Sequence, residues 1–204
     1  MLPSFEAILW DFDGVIMNSN HVRDNGFSVV LKDFPEDEVQ NLLNYHRKNG
    51  GLSRYVKFRY FFEQIRGESV TEEQVLQYAS SFSTEVMKHL TNTELLIEET
   101  VNYIRQHYLE IPMFIVSGSD QEELRKICWH TNIDAYFKEI LGSPTPKKQL
   151  VKKIIQTYGI NPSASLLVGD SINDYEASEV NGLHFMAYNN PSIDHYSTGR
   201  IYFS

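Results

Sequence analysis

Several absences narrow the field first. The 204-residue sequence holds one cysteine, Cys128, so no internal disulfide can form, which fits a reducing compartment. No apolar run approaches the roughly 20 residues that a membrane-spanning helix needs. Basic residues are scarce: 18 Lys and Arg stand against 27 Asp and Glu, for a formal net charge of −9. A chain so short of cations is poorly suited to neutralising nucleic-acid phosphates. The seven histidines are scattered without ligand spacing, so no zinc site is expected. No basic segment with an apolar run precedes the first strand, so no signal peptide is expected. Internal repeats and low-complexity segments are absent. These features predict a cytoplasmic protein with neither nucleic-acid nor membrane partners.

What is present is a hydrophobic content of 42%, enough for a core and an inserted subdomain. Apolar runs at 6–12 (EAILWDF), 112–118 (PMFIVSG), 165–170 (SLLVGD) and 183–188 (LHFMAY) read as buried parallel strands, with a weaker one at 138–143 (KEILGS). Helical patterns separate the later runs, predicting an α/β, doubly wound, Rossmann-like core. Asp120 with Glu123 resembles a capping box. Leu150, Val151, Ile154, Ile155 and Tyr158 form an apolar stripe ending near Gly159. A helix from Ile172 is expected to stop at Asn181-Gly182.

Between the first two strands the pattern changes. Residues from about Asn18 to about Thr93 are rich in helix formers and aromatics, broken at Pro35, Gly50-Gly51 and Gly67. This predicts an all-helical insertion of about four helices, with hinges near 15–19 and 91–96. Its aromatic run, Phe58, Tyr60, Phe61 and Phe62, reads as core; Trp10 reads as sheet core, and His21 as structural. The tail from Pro191 carries turn formers and has no assignment.

Strand ends of an open parallel sheet share one crevice at their C-terminal edge. Asp11 and Asp13 follow the first strand, Ser117 closes the second, and Asp170 and Asp174 follow the fourth in GDSIND. Converging carboxylates destabilise a fold unless a cation sits among them, and Mg²⁺ is a hard ion suited to oxygen ligands and phosphate. An Asp-x-Asp-Gly sequence can also be a simple turn or part of a calcium loop. The EF-hand needs glycine sixth and glutamate twelfth; here Gly14 is fourth and Val22 twelfth.

DFDGV, VSGS, the lysine of GSPTPKK, and GDSIND occur in the order of four motifs, and the chain thereby resembles the haloacid dehalogenase-like (HAD) superfamily, in its phosphoglycolate phosphatase and β-phosphoglucomutase-like branch. The resemblance implies a core of residues 1–16 and 94–204 and a helical C1 cap of residues 17–93. It implies an Mg²⁺-dependent phosphatase for a small phosphorylated metabolite, with Asp11 as nucleophile through an aspartyl-phosphate and Asp13 as general acid and base. Asp11, Asp13 (through its carbonyl), Asp170 and Asp174 would hold the metal. Ser117 and Gly118 would hold phosphoryl oxygens, and Lys147 would neutralise charge.

Lys147 and Lys148 both fall in a helix's first turn, where cations oppose the macrodipole by about 0.3–1 kcal/mol each. That local conflict points to function, and Lys148 is the alternative to Lys147. In the cap, Gly50, Gly51 and Arg54 are candidate substrate contacts within a basic cluster (Arg47, Lys48, Arg54, Lys57 and Arg59) that a solvated helical face would also explain, and Arg23 in the first cap helix is another candidate. A mutase of the β-phosphoglucomutase type shares all four motifs. A phosphonatase would need a cap lysine, for which Lys48 and Lys57 are candidates, and a non-catalytic binding module is the remaining alternative.

Overall fold

The structure, a computed structural model, describes residues 5–203. Residues 1–4 and 204, at the ends of the expected core, lie outside the described residues. Five parallel strands form one sheet: β1 (Ala7–Trp10), β2 (Met113–Asp120), β3 (Glu139–Ser143), β4 (Ser165–Gly169) and β5 (His184–Ala187), in the order β3-β2-β1-β4-β5. The weak run at 138–143 is thus a strand, at the sheet's edge. β1 is shorter than its apolar run, because the chain turns at Asp11, although the Asp11 N–H still donates to the Val168 carbonyl at 2.9 Å.

Alternation along the central strands divides the core. Ile8 and Trp10 face one side with Ile115, Leu166 and Val168; Ala7 and Leu9 face the other with Phe114, Val116 and Leu167. On the second side, α7 (Lys147–Tyr158) and α8 (Ile172–Asn181) cover the sheet. Their left-handed C-caps are Gly159 and Gly182, at φ +62° and +74°. The first side carries α5 (Glu98–His107) and α6 (Gln121–His130).

The segment between β1 and β2 is helical: α1 (Asn20–Val30), α2 (Glu36–Lys48), α3 (Arg54–Tyr60), continued as a π-turn over Phe61–Arg66, and α4 (Glu72–Leu90). Pro35, Gly50-Gly51 and Gly67 stand at the joints. Phe27, Phe58, Phe61 and Phe82 are buried between these helices, each contributing about 2–3 kcal/mol by transfer from water. Tyr60 is half-buried and stacks on Tyr45 at 3.6 Å. The linkers into and out of the insertion lie side by side. Asn18 N–H donates to the Leu95 carbonyl at 2.7 Å, and Ile97 N–H to that of Ile16 at 2.9 Å.

One expectation needs correction, and one segment without an assignment gains its place. Asp120 caps α6 by accepting from the N–H groups of Glu122 and Glu123, but Glu123 does not complete a capping box; its carboxylate turns into the interior. The unassigned tail runs along β5. Ser197 and Thr198 hydroxyls accept from the Ala187 and Phe185 N–H groups, at 2.9 and 3.0 Å, covering an edge that would otherwise expose free ladder groups. Among the described residues, no helix is long and apolar enough to cross a membrane.

Candidate active site

The C-terminal ends of β1, β2 and β4 bring Asp11, Asp13, Ser117, Asp170 and Asp174 to one edge of the sheet. Asp11, Asp170 and Asp174 each offer an oxygen within 4.8 Å of the others. Lys147, at the start of α7, reaches them from the side: its Nζ lies 2.7 Å from Asp11 Oδ1 and also pairs with Asp174. Lys148 points outward to Glu176 at 2.9 Å. The unfavourable charge at this helix start is therefore offset by two buried carboxylates in the case of Lys147.

Asp174 is held firmly, accepting from the Ser171 N–H at 3.0 Å and the Ser171 hydroxyl at 2.6 Å. Gly169 is required beneath it, since a Cβ there would lie 2.3 Å from the Asp174 Cβ. Gly14, at φ +81°, plays the same part for Asp170, whose Oδ2 would lie 2.1 Å from an added Cβ. Three carboxylates therefore crowd together with one ammonium, which pairs with two of them. Burial and the neighbouring Asp174 push Asp11 well above the usual carboxylate range, against the pull of Lys147. The same two causes bring Asp170 to about 7. A crowded, all-oxygen, partly protonated cluster of this kind fits a hard divalent cation.

Asp13 behaves differently. Burial would raise it, but Arg23 and the hydroxyls of Ser119 and Ser19 outweigh burial and hold it down to about 2. Arg23 Nε donates to it at 3.0 Å, and the Ser19 and Ser119 hydroxyls each donate at 2.5 Å. Its carboxylate thus faces the helical insertion, not the acidic cluster. Ser117 is buried, and its Oγ accepts from the Ser119 N–H at 3.1 Å.

The insertion lies directly over this edge. A Cβ on Gly118 would meet the Gly51 carbonyl at 2.4 Å, and one on Gly51 would meet Asn173 at 2.8 Å. Gly50 is looser, with Ser171 as its nearest neighbour at 3.6 Å. Arg54 is buried and donates through both Nη atoms to Glu123 at 2.7 Å; Arg23 Nη1 donates to the same carboxylate. Beneath them is a cavity of about 30 Å³ lined by Asp13, Arg23, His46, Arg54, Lys57 and Gly118, among others. A wider cleft of about 630 Å³, with Arg47, Lys48, Asp170 and Asn190 on its walls, opens beside it.

Sequence reasoning did not single out Glu123, Ser19, Ser119 or His46 as site residues, and it named Lys57 only as a candidate lysine for the phosphonatase alternative. Lys57 is buried with its Nζ on the Gly50 carbonyl at 3.2 Å, and burial, with Arg23 and Arg54 nearby, pushes it down to about 7. Burial and Lys57 push His46 to about 2, so it is neutral. Ser119 could have been read from VSGSD; nothing local marks Glu123 as a partner of the insertion's arginines. His21 is exposed.

The fold and the site define an α/β protein with an acidic, lysine-neutralised centre at the C-terminal edge of a parallel sheet. Residues 8–188 match the family model of haloacid dehalogenase-like hydrolases, and the chain belongs to that family. Similar solved structures include β-phosphoglucomutase from Clostridium difficile, with TM-score 0.75 and 13% identity over 98% of this chain and 92% of that one. A mutant of CbbY from Rhodobacter sphaeroides in complex with xylulose-(1,5)bisphosphate has TM-score 0.74 and 13% identity, over 96% and 89%. A predicted phosphoglycolate phosphatase from Haemophilus somnus has TM-score 0.71 and 18% identity, over 96% and 92%. No curated protein sequence matches the chain.

Proposed function

We propose that the chain is an Mg²⁺-dependent phosphatase for a small phosphorylated metabolite, with residues 17–93 as cap and 1–16 with 94–204 as catalytic core. The observation that carries this reading is the shared contact of Lys147 with Asp11 and Asp174, beside Asp170, at the strand ends. Asp11 attacks phosphorus and takes the phosphoryl group as an aspartyl-phosphate. Asp13 protonates the leaving alcohol and, once ionised, draws the proton from the attacking water. Its present contacts hold it as the carboxylate, the form that second role needs. Lys147, Ser117 and the Gly118 N–H face the transferring oxygens. Asp11, Asp170, Asp174 and the Asp13 carbonyl would hold the metal, which supplies charge neutralisation of the phosphoryl group when bound.

The phosphomutase alternative uses the same residues and returns the phosphoryl group to a sugar. A phosphonatase reading gains from Lys57, a buried amine without a carboxylate partner among the described residues, facing the cavity beside Asp13. The test is phosphate release from p-nitrophenyl phosphate and a metabolite panel that includes phosphonoacetaldehyde, with and without Mg²⁺, for wild type and Asp11→Asn. Turnover lost with EDTA and in the variant supports the proposal; turnover that survives either overturns it, and release from the phosphonate alone favours the second reading.

A further inference from the structure

Arg23 and Arg54 are the two arginines that the insertion aims at the crevice, and the core meets both with one side chain. Glu123, in the first turn of α6, is buried to the same degree as they are, each 4% exposed. It takes both Nη atoms of Arg54 at 2.7 Å and Nη1 of Arg23. Arg23 Nε is taken by Asp13, and Arg54 Nη1 is shared with the Ser83 hydroxyl. Two guanidiniums are therefore matched, charge for charge, by two carboxylates. What remains is Lys57, titrating at about 7, and two nitrogens of the cavity wall, Arg23 Nη2 and His46 Nδ1, buried without a hydrogen-bond partner. The phosphoryl dianion itself falls to Lys147 and the metal-binding cluster, so the cavity offers the leaving group no unmatched cation beyond Lys57. Outside, Arg47 is held by Asp24 at 2.9 Å.

Resting on the phosphatase reading above, we infer that Glu123 is a specificity-determining residue: a built-in counter-anion that occupies the place a second negative charge on the leaving group would take. The substrate class it selects is the phosphate ester of a neutral, hydroxylated alcohol. A hydroxyl oxygen accepts from Arg23 Nη2 without bringing charge. A carboxylate or second phosphate brought against Arg23 Nη2 would either face Glu123 at short range or displace it, leaving a buried carboxylate unpaired, and both are costly.

The test compares kcat/KM within two size-matched pairs, glycerol 3-phosphate with 3-phosphoglycerate and 2-hydroxyethyl phosphate with phosphoglycolate, for wild type and Glu123→Gln. Wild type should favour the uncharged member of each pair by about tenfold or more. In Glu123→Gln that preference should shrink by about tenfold or reverse, chiefly through KM of the anionic esters. Wild type favouring the anionic members, or a preference unmoved by the substitution, overturns the inference while leaving a phosphatase. Should circular dichroism show the variant unfolded, the wild-type ratios decide. Turnover of no ester at all removes the phosphatase reading and this inference with it.

Discussion

Lys57→Met tests the electrostatics of the buried cavity most directly. Methionine keeps the length of the four-atom apolar stem and removes the amine. A lysine that titrates at about 7 in the folded chain and at its ordinary 10.5 when unfolded binds fewer protons folded than unfolded between those values. Stability of the wild type therefore rises with pH across that window, the penalty being full below pH 7 and gone above pH 10.5. At about 1.4 kcal/mol per pH unit the full penalty is about 5 kcal/mol, an upper bound that relaxation of the site reduces. Against it stands the lost hydrogen bond from Nζ to the Gly50 carbonyl, 3.2 Å long and worth about 1 kcal/mol. The substitution should thus stabilise the protein by about 2–4 kcal/mol at pH 6–7, by less at pH 9, and destabilise it slightly above pH 10. Urea unfolding midpoints of both proteins across pH 6–10, with m-values compared, give the difference curve. A variant less stable than wild type at pH 6, or a difference flat with pH, would refute the reasoning and place the amine in contact with an anion instead.

Two further outcomes follow from the acidic cluster. Lys147→Met should leave Asp11 and Asp174 buried without their cation and lower stability by about 3–5 kcal/mol at pH 8, whereas Lys148→Met, which loses only the exposed pair with Glu176, should change it by less than about 1 kcal/mol; equal effects in thermal melts would contradict the assignment. Affinity for Mg²⁺, read by calorimetry, should strengthen between pH 6 and pH 8, because Asp170 titrates at about 7 and Asp11 is raised, and a bound cation must displace their protons. An affinity independent of pH there would argue that the ion binds elsewhere.

How much was legible beforehand differs by element. The four stronger strands and the joints of the helical segment could be read locally, because Pro35, Gly50-Gly51 and Gly67 act on the backbone where they stand. The 138–143 strand was faint because only Ile140 and Leu141, one in each face's core, are apolar, while Gly142 and Ser143 are buried without being hydrophobic. The acids could be placed because a parallel sheet sends its strand ends to a common edge whatever the side chains do. Glu123 was misread as a capping partner for the opposite reason: its local spacing fits a box with Asp120, and its true partners lie 69 and 100 residues away in the chain.

The sequence by itself determined the α/β architecture, the place of the helical insertion and the convergence of Asp11, Asp13, Asp170 and Asp174, all consequences of periodicity and chain order. Only the tertiary structure decided which lysine enters the cluster, that Asp13 is held by Arg23, and that both insertion arginines are met by a carboxylate of the core. The reason is physical: the cost of burying a charge depends on what surrounds it in space, and two ends of an ion pair carry no mark of each other along the chain.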